Sequence, residues 1–212
     1  MFTGIVKACI PIQSFEHQQG LATIKLDMSD MLDGLETGAS VAVDGVCLTV
    51  TEINSGLVSF DMIAETLAVT SLGGCKQGSL VNLERSFQTG AEVGGHIVSG
   101  HIDATAEIID ITESENNRTV VYALGKDLMK YVFSKGFVAV NGCSLTVVKA
   151  DYDAATFSIS YIPETLRATN HIHKSIGDRV NIEVERQTQA VVDTVTRLLK
   201  DNPEMIKRLL GA

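Results

Sequence analysis

Ala42-Val43-Asp44-Gly45-Val46-Cys47-Leu48-Thr49-Val50 and Ala139-Val140-Asn141-Gly142-Cys143-Ser144-Leu145-Thr146-Val147 are one pattern written twice, 97 residues apart. Each is a β-rich run, an Asp-Gly or Asn-Gly pair, and a second β-rich run. Such a pair between β-rich runs is a strong signal for a two-residue hairpin. The repetition continues outward in the same order. Glu65-Thr66-Leu67 matches Glu164-Thr165-Leu166, and Val81-Asn82-Leu83-Glu84 matches Val180-Asn181-Ile182-Glu183, both at an offset of 99. Upstream, Gly4-Ile5-Val6 answers Gly100-His101-Ile102 at 96. Blocks kept in order at nearly constant offset imply a duplicated domain of a size that folds alone.

The boundary falls in the Gly-rich stretch Thr89–Gly95, which divides the chain into 1–90, 91–187 and a last segment, 188–212. In the first copy Ser40–Val43, Cys47–Glu52, Leu57–Met62 and Leu80–Leu83 read as strands between turn residues. Ser29–Leu35 and Lys126–Phe133 are short helix candidates, one per copy. Many short strands at this spacing predict an all-β barrel or sandwich in each half. The last segment is different. From Thr188, a good N-cap, Val191, Val195, Leu198 and Val192, Val195, Leu199 follow helical spacing until Asn202-Pro203 interrupts. This amphipathic helix either packs on its own barrels or meets helices of other subunits.

Of the 212 residues 45% are hydrophobic, enough for sizeable cores. No apolar run approaches the ~18 residues of a membrane span, and the N-terminus has no secretory pattern. With 17 basic against 26 acidic residues, a nucleic-acid partner is a poor expectation. Cys9, Cys47, Cys75 and Cys143 are scattered with no CxxC pair, so free thiols in a reducing cytoplasm are expected, with no metal site.

Few residues can do chemistry. His96 and His101 sit in a Gly-rich stretch, each readable as a hydrogen-bonded structural residue or as an acid/base near neutral pH. Their spacing places them on opposite faces of a strand, a poor geometry for a shared metal. Cys47 and Ser144 stand in nearly equivalent places after the two hairpin glycines, as do Thr49 and Thr146. No GxSxG elbow surrounds Cys47 or Ser144, so covalent acyl transfer has little support. The duplication predicts two similar pockets lined by small polar groups, suited to a planar heterocycle with a polyol tail.

Met1-Phe2-Thr3-Gly4-Ile5-Val6, Asp44–Val50, Gly94-Gly95-His96-Ile97-Val98-Ser99-Gly100-His101, Asn141–Val147, Ile162–Leu166 and Val180–Glu183 together resemble the riboflavin synthase family, α-chain type. The resemblance runs from Met1 to about Leu199. It implies two six-stranded Greek-key barrels in tandem and a C-terminal helix that assembles a homotrimer. The implied enzyme is a cytoplasmic transferase that dismutates two molecules of 6,7-dimethyl-8-ribityllumazine. Its products are riboflavin and 5-amino-6-(D-ribitylamino)uracil, in the last step of riboflavin biosynthesis. No metal or redox cofactor is implied, and an association with lumazine synthase is admitted.

By matching position, the resemblance assigns Gly4, Ile5, Val6, Cys47, Leu48, Thr49, Asp61, Met62, Ile63, Ala64, Glu65 and Thr66 to the N-barrel pocket. It assigns Gly100, His101, Ile102, Lys135, Ser144, Leu145, Thr146, Ile162, Pro163, Glu164 and Thr165 to the C-barrel pocket. Phe2, Ser40, Cys47, His101, Ser144 and Thr146 match positions tied to catalysis, with His101 as proton carrier and Ser144 or Cys47 as nucleophile. One departure is Glu185, where many members carry Asp. Some relatives bind a lumazine or flavin as a light-emitting antenna and lose polar residues from one pocket. Retention of Cys47, His101, Ser144 and Thr146 points to the catalytic branch.

Overall fold

The computed structural model of the chain describes residues 1–18, 20–115 and 117–202. Asp44 and Asn141 take φ of 46° and 44°, and Gly45 and Gly142 follow at 80° and 76°. Two consecutive positive φ values make the primed turn whose twist matches that of paired strands. Around the first hairpin, β1 (Ala8–Gln18), β2 (Leu21–Asp27), β3 (Ser40–Val43), β4 (Val46–Asn54), β5 (Leu57–Ile63) and β6 (Leu80–Arg85) form a closed antiparallel barrel, in the order β1-β2-β5-β4-β3-β6. Around the second, β7 (Ala104–Ser114), β8 (Asn117–Ala123), β9 (Phe137–Val140), β10 (Cys143–Asp151), β11 (Thr156–Tyr161) and β12 (Arg179–Val184) close in the equivalent order, β10-β11-β8-β7-β12-β9. The two barrels expected from the repeat are therefore present, and closure leaves neither sheet an edge to aggregate.

Inward residues alternate along the strands as a half-buried sheet requires. Ile24, Leu26, Val41, Leu48, Phe60 and Leu83 fill the first barrel, and Ile108, Tyr122, Val140, Leu145, Phe157 and Ile182 fill the second. Tyr122 and Tyr161 keep their hydroxyls satisfied inside by bonding each other at 2.6 Å.

The helical expectations need correction. Ser29–Leu35 supplies only a 3-10 turn, Ser29–Met31, because Gly34 takes φ 65° and the chain turns away. Lys126–Phe133 supplies one helical turn, α2 (Lys126–Met129), since Tyr131 and Val132 are drawn into the barrel core. Two helices went unforeseen, α1 (Ala64–Val69) and α3 (Pro163–Ala168). Pro163 in the first turn, followed by Glu164, was the available signal. The terminal helix, α4 (Arg186–Asp201), begins before Thr188. Glu185 is its N-cap, accepting from the amides of Gln187 at 3.0 Å and Thr188 at 2.6 Å. Pro203, expected to interrupt it, lies outside the described residues. No helix among the described residues is long and apolar enough to cross a membrane.

The copies are related by a local two-fold. Phe2 and Val98 exchange backbone bonds at 2.7 and 3.0 Å, and Gly45 meets Gly142 back to back. A Cβ on either glycine would lie under 3 Å from the other's backbone, so this approach needs glycine at both turns. Buried amides knit the interface. Asn82 Nδ2 donates to the Asn141 carbonyl at 3.0 Å, and Asn181 Nδ2 donates to the Asp44 carbonyl at 2.9 Å.

Candidate functional site

Glu84 and Glu183, which end the matched Val-Asn-Leu/Ile-Glu blocks, are both buried. Glu84 accepts from the Thr3 amide and hydroxyl, both at 2.7 Å, and from the Gly4 amide at 2.9 Å. Glu183 repeats this with the Ser99 amide at 2.7 Å, the Ser99 hydroxyl at 2.6 Å and the Gly100 amide at 2.9 Å. Three donors on each carboxylate offset the cost of burying it. Burial still pushes Glu84 above the usual carboxylate range, against the bonds from Thr3 and Gly4.

These anchors hold two segments that reach across to the opposite barrel. Ser144 N donates to the Gly4 carbonyl at 2.8 Å, and Cys47 N donates to the Gly100 carbonyl at the same distance. Val6 packs on the core of the second barrel, and Ile102 on that of the first. The grouping expected from sequence is therefore corrected. Gly4-Ile5-Val6 join Ser144, and Gly100-His101-Ile102 join Cys47. Gly4, Ile5 and Val6 line a cavity of about 230 Å³ with Cys143, Ser144, Glu164, Thr165 and Thr169. The repeat places Gly100, His101, Ile102, Cys47, Glu65 and Thr66 at the corresponding positions beside the first barrel.

The strongest chemical pairing is one that spacing did not reveal. His96 Nδ1 lies 2.6 Å from Ser144 Oγ, and its ring stacks on Phe137. The residues are 48 apart in sequence, so only their glycine neighbour carried a signal. A Cβ at Gly95 would stand 2.4 Å from the Thr3 carbonyl and 2.7 Å from Ser144 Cβ. Burial lowers the pKa of His96, opposed by the nearby Glu185 carboxylate. The ring is thereby held neutral near pH 7, able to accept a proton from the hydroxyl. His101 is exposed and bonds through its backbone: its amide donates to Ser99 Oγ at 3.3 Å, and its carbonyl accepts from Arg186.

The other candidates divide by orientation. Leu48, Met62 and Leu145 are buried in the cores, so any ligand would meet their backbone. Thr49 and Thr146 are exposed at equivalent places, and Ser40 pairs with Thr49 across β3 and β4. Asp61, Ile63, Ala64 and Glu65 are exposed at the junction of β5 and α1, where Asp61 accepts from Thr23 at 2.6 Å. Thr66 is half-buried within α1. Ile162, Pro163, Glu164 and Thr165 occupy the same place before and within α3. Phe2 is buried against Val98, Ala42, Ala139 and Cys47, a packing position. Lys135 is exposed with φ 70°. Glu185 is committed to capping α4; burial would raise its pKa, but the bonds from Thr188 and Gln187 prevail and lower it. Among the described residues no three His, Cys, Asp or Glu side chains gather as a metal site.

The family model of the lumazine binding domain matches residues 3–86 and again 99–185. The riboflavin synthase of Escherichia coli (strain K12) is 50% identical over 201 residues, 94% of this chain and 93% of that protein. That of Chlamydia pneumoniae is 44% identical over 200 residues, 94% and 97% of the two chains. Among solved structures, LumP complexed with riboflavin matches with a TM-score of 0.81 at 27% identity, over 87% of this chain and 100% of that one. LumP complexed with 6,7-dimethyl-8-(1'-D-ribityl) lumazine matches with a TM-score of 0.78 at 26% identity, over 87% and 99%.

Proposed function

This chain belongs to the riboflavin synthase family of lumazine-binding proteins, and we propose from its site that it converts two molecules of 6,7-dimethyl-8-ribityllumazine into riboflavin and 5-amino-6-(D-ribitylamino)uracil. The observation that carries this reading is the Ser144–His96 pair at 2.6 Å, with Ser144 on the wall of a cavity whose lining the repeat echoes beside the first barrel. A reaction between two identical substrates calls for two related sites that are chemically unequal. The copies differ at just such places: Ser144 faces His96, whereas Cys47 stands at the matching position with no bonded histidine among the described residues.

The four-carbon transfer asks two things of the protein. One lumazine must lose a proton from its 7-methyl group, and the other must accept a nucleophile at C7. Neutral His96 takes the Ser144 proton as the hydroxyl adds to the acceptor. His101, on the segment beside the first barrel, carries the methyl proton of the donor. General acid–base help of this kind is typically worth ~100- to 10,000-fold. Holding two rings face to face contributes further, since it replaces an encounter by a fixed geometry. Phe2 and Ser40 act by keeping Cys47, Gly100 and Thr49 in place, and Thr49, Thr146, Lys135 and the residues at the starts of α1 and α3 hold the substrates.

The working form is a homotrimer, in which the first barrel of one subunit faces the second barrel of its neighbour. The exposed apolar face of α4 supports this, and four free cysteines suit the cytoplasm. The division 1–90, 91–187 and 188–212 is kept as two ligand-binding units and an assembly helix. Association with lumazine synthase is compatible with the same reading. The test is incubation of the purified protein with 6,7-dimethyl-8-ribityllumazine while riboflavin fluorescence is followed. One riboflavin should appear for every two lumazines consumed. Tight binding with no riboflavin formed would reassign the chain to ligand storage or light emission.

A further inference from the structure

The segments Thr3–Lys7 and Ser99–Asp103 are held by the same bonds, with one addition. Each has its hydroxyl residue and glycine on a buried glutamate, and each has an amide facing that hydroxyl: Ile5 N to Thr3 Oγ1 at 3.4 Å, His101 N to Ser99 Oγ at 3.3 Å. The second segment is also gripped by Arg186, the first residue of α4. Its Nη1 donates to Asp103 Oδ1 at 2.8 Å and to Gln189 Oε1 at 2.7 Å. Its Nη2 donates to the His101 carbonyl, and its Nε lies 3.4 Å from Ser99 Oγ. Asp103 is itself fixed, since its other oxygen accepts from Val184 N at 2.9 Å. In the first copy the places of Arg186 and Asp103 are taken by Phe87 and Lys7, which can form no such grip. The extra clamp therefore falls on the segment that carries the exposed histidine, and on that segment alone.

We infer that Arg186 is a positioning residue, which fixes the His101 main chain so that the imidazole meets the donor lumazine; this rests on the proton-carrier role given to His101 above. An exposed imidazole on a connecting segment transfers protons only when its backbone is held, because a displacement of about 1 Å can cost ~100-fold. A guanidinium suits this role because its planar fork serves a carboxylate, a carbonyl and a hydroxyl in fixed directions, which an ammonium cannot do. The bond to Gln189 fastens the same fork to the first turn of α4.

The experiment is a double-mutant cycle in the full-length chain. Arg186→Met keeps the aliphatic stem and removes the donors. It should lower kcat for riboflavin formation by about 10- to 100-fold, with KM and riboflavin affinity within about threefold. Arg186→Lys should recover little of the loss. His101→Gln should lose at least ~100-fold alone, and the double variant should be no slower than His101→Gln. Wild-type kcat in Arg186→Met, full recovery by Arg186→Lys, additive losses in the double variant, or a changed sedimentation coefficient for Arg186→Met would each overturn the inference. A wild-type chain that forms no riboflavin would instead overturn the functional reading itself.

Discussion

Ser144 shows how much a single buried neighbour decides. Sequence places it in a β10 hairpin beside a glycine, where most serines are structural; only the fold brings His96 within 2.6 Å. His96→Gln keeps a hydrogen-bonding side chain of similar reach but cannot take a proton near neutral pH. Turnover should fall ~100-fold or more, while fluorescence titration shows riboflavin affinity little changed. Because burial holds His96 below its ordinary 6.5, the acid limb of the wild-type kcat/KM profile should also lie below that pH. Lys135 is a second such residue. It takes φ 70° and donates to the Val147 carbonyl, as Gly38 at φ 90° donates to that of Val50. Lysine stands in a backbone conformation the first copy gives to glycine, at a cost on the order of 1 kcal/mol. Lys135→Gly should raise the melting temperature while weakening lumazine binding in calorimetry. Asp44 is the third. Its carboxyl is wholly buried, bonded by Asn82 N at 2.8 Å and Asn170 Nδ2 at 2.9 Å, and burial pushes its pKa up to about 6. The folded state holds the proton more tightly than the unfolded chain. Stability therefore falls as pH rises from about 4 to 6, and the full penalty, roughly 3 kcal/mol, persists above that range. Asn141 occupies the equivalent place and makes the matching bond to Asn181 N at 2.7 Å without a charge. Asp44→Asn should raise stability at pH 7 and remove the decline between pH 4 and 6 in urea denaturation. An unchanged pH profile would show that the carboxyl titrates normally.

Among the elements, β3 to β6 and their repeats β9 to β12 were the legible part, whereas β1, β2, β7 and β8 were not read from the sequence. The Asp-Gly and Asn-Gly turns fix register, and period-two alternation then says which residues face inward. The short helices were not legible, because a six-residue turn at the end of a strand has no room for a periodic stripe. The start of α4 was misplaced for a different reason. Thr188 is a better capping residue by type than Glu185, yet the longer glutamate reaches forward to accept from two amides. The apolar residues of α4 divide between a docked face and an exposed one. Val192 packs on the second barrel, and Asp193 accepts from the Tyr131 hydroxyl and from Lys130. Val191, Val195 and Leu198 remain 63%, 49% and 51% exposed. This contiguous apolar face is the surface that the proposed trimer would bury. Val195→Asp combined with Leu198→Asp leaves the docked face untouched, so the barrels should stay folded by circular dichroism. Sedimentation should change from trimer to monomer, and riboflavin formation should fall nearly to background. A folded double variant that sediments as a trimer would assign assembly to another surface.

For the molecule as a whole, the duplication was readable and the exchange between its halves was not. Matching residues report which positions are equivalent, but equivalence is blind to which barrel a segment joins. Gly4-Ile5-Val6 and Gly100-His101-Ile102 have the same pattern whether each lies on its own barrel or on the other. The exchange makes each half incomplete. A fragment ending at Phe87 contains β1 to β6, but the Cys47 amide loses its acceptor, the Gly100 carbonyl, and the first core loses Ile102. The same fragment keeps its own Thr3–Val6 segment, anchored by Glu84, with no second barrel to receive it. A second copy cures both defects. Gly4 of one fragment can accept from Cys47 N of the other, as it accepts from Ser144 N in the whole chain. Val6 can replace Ile102, and burying such a side chain is worth about 1.5–3 kcal/mol. The fragment of residues 1–87 should therefore fold as a symmetric dimer that binds two riboflavin molecules and forms none from lumazine. Val6→Asp should convert it to a monomer with much weaker binding, by sedimentation and fluorescence titration. A monomeric fragment that binds riboflavin as tightly as the full chain would show that each barrel completes its own pocket and that the crossing segments are dispensable.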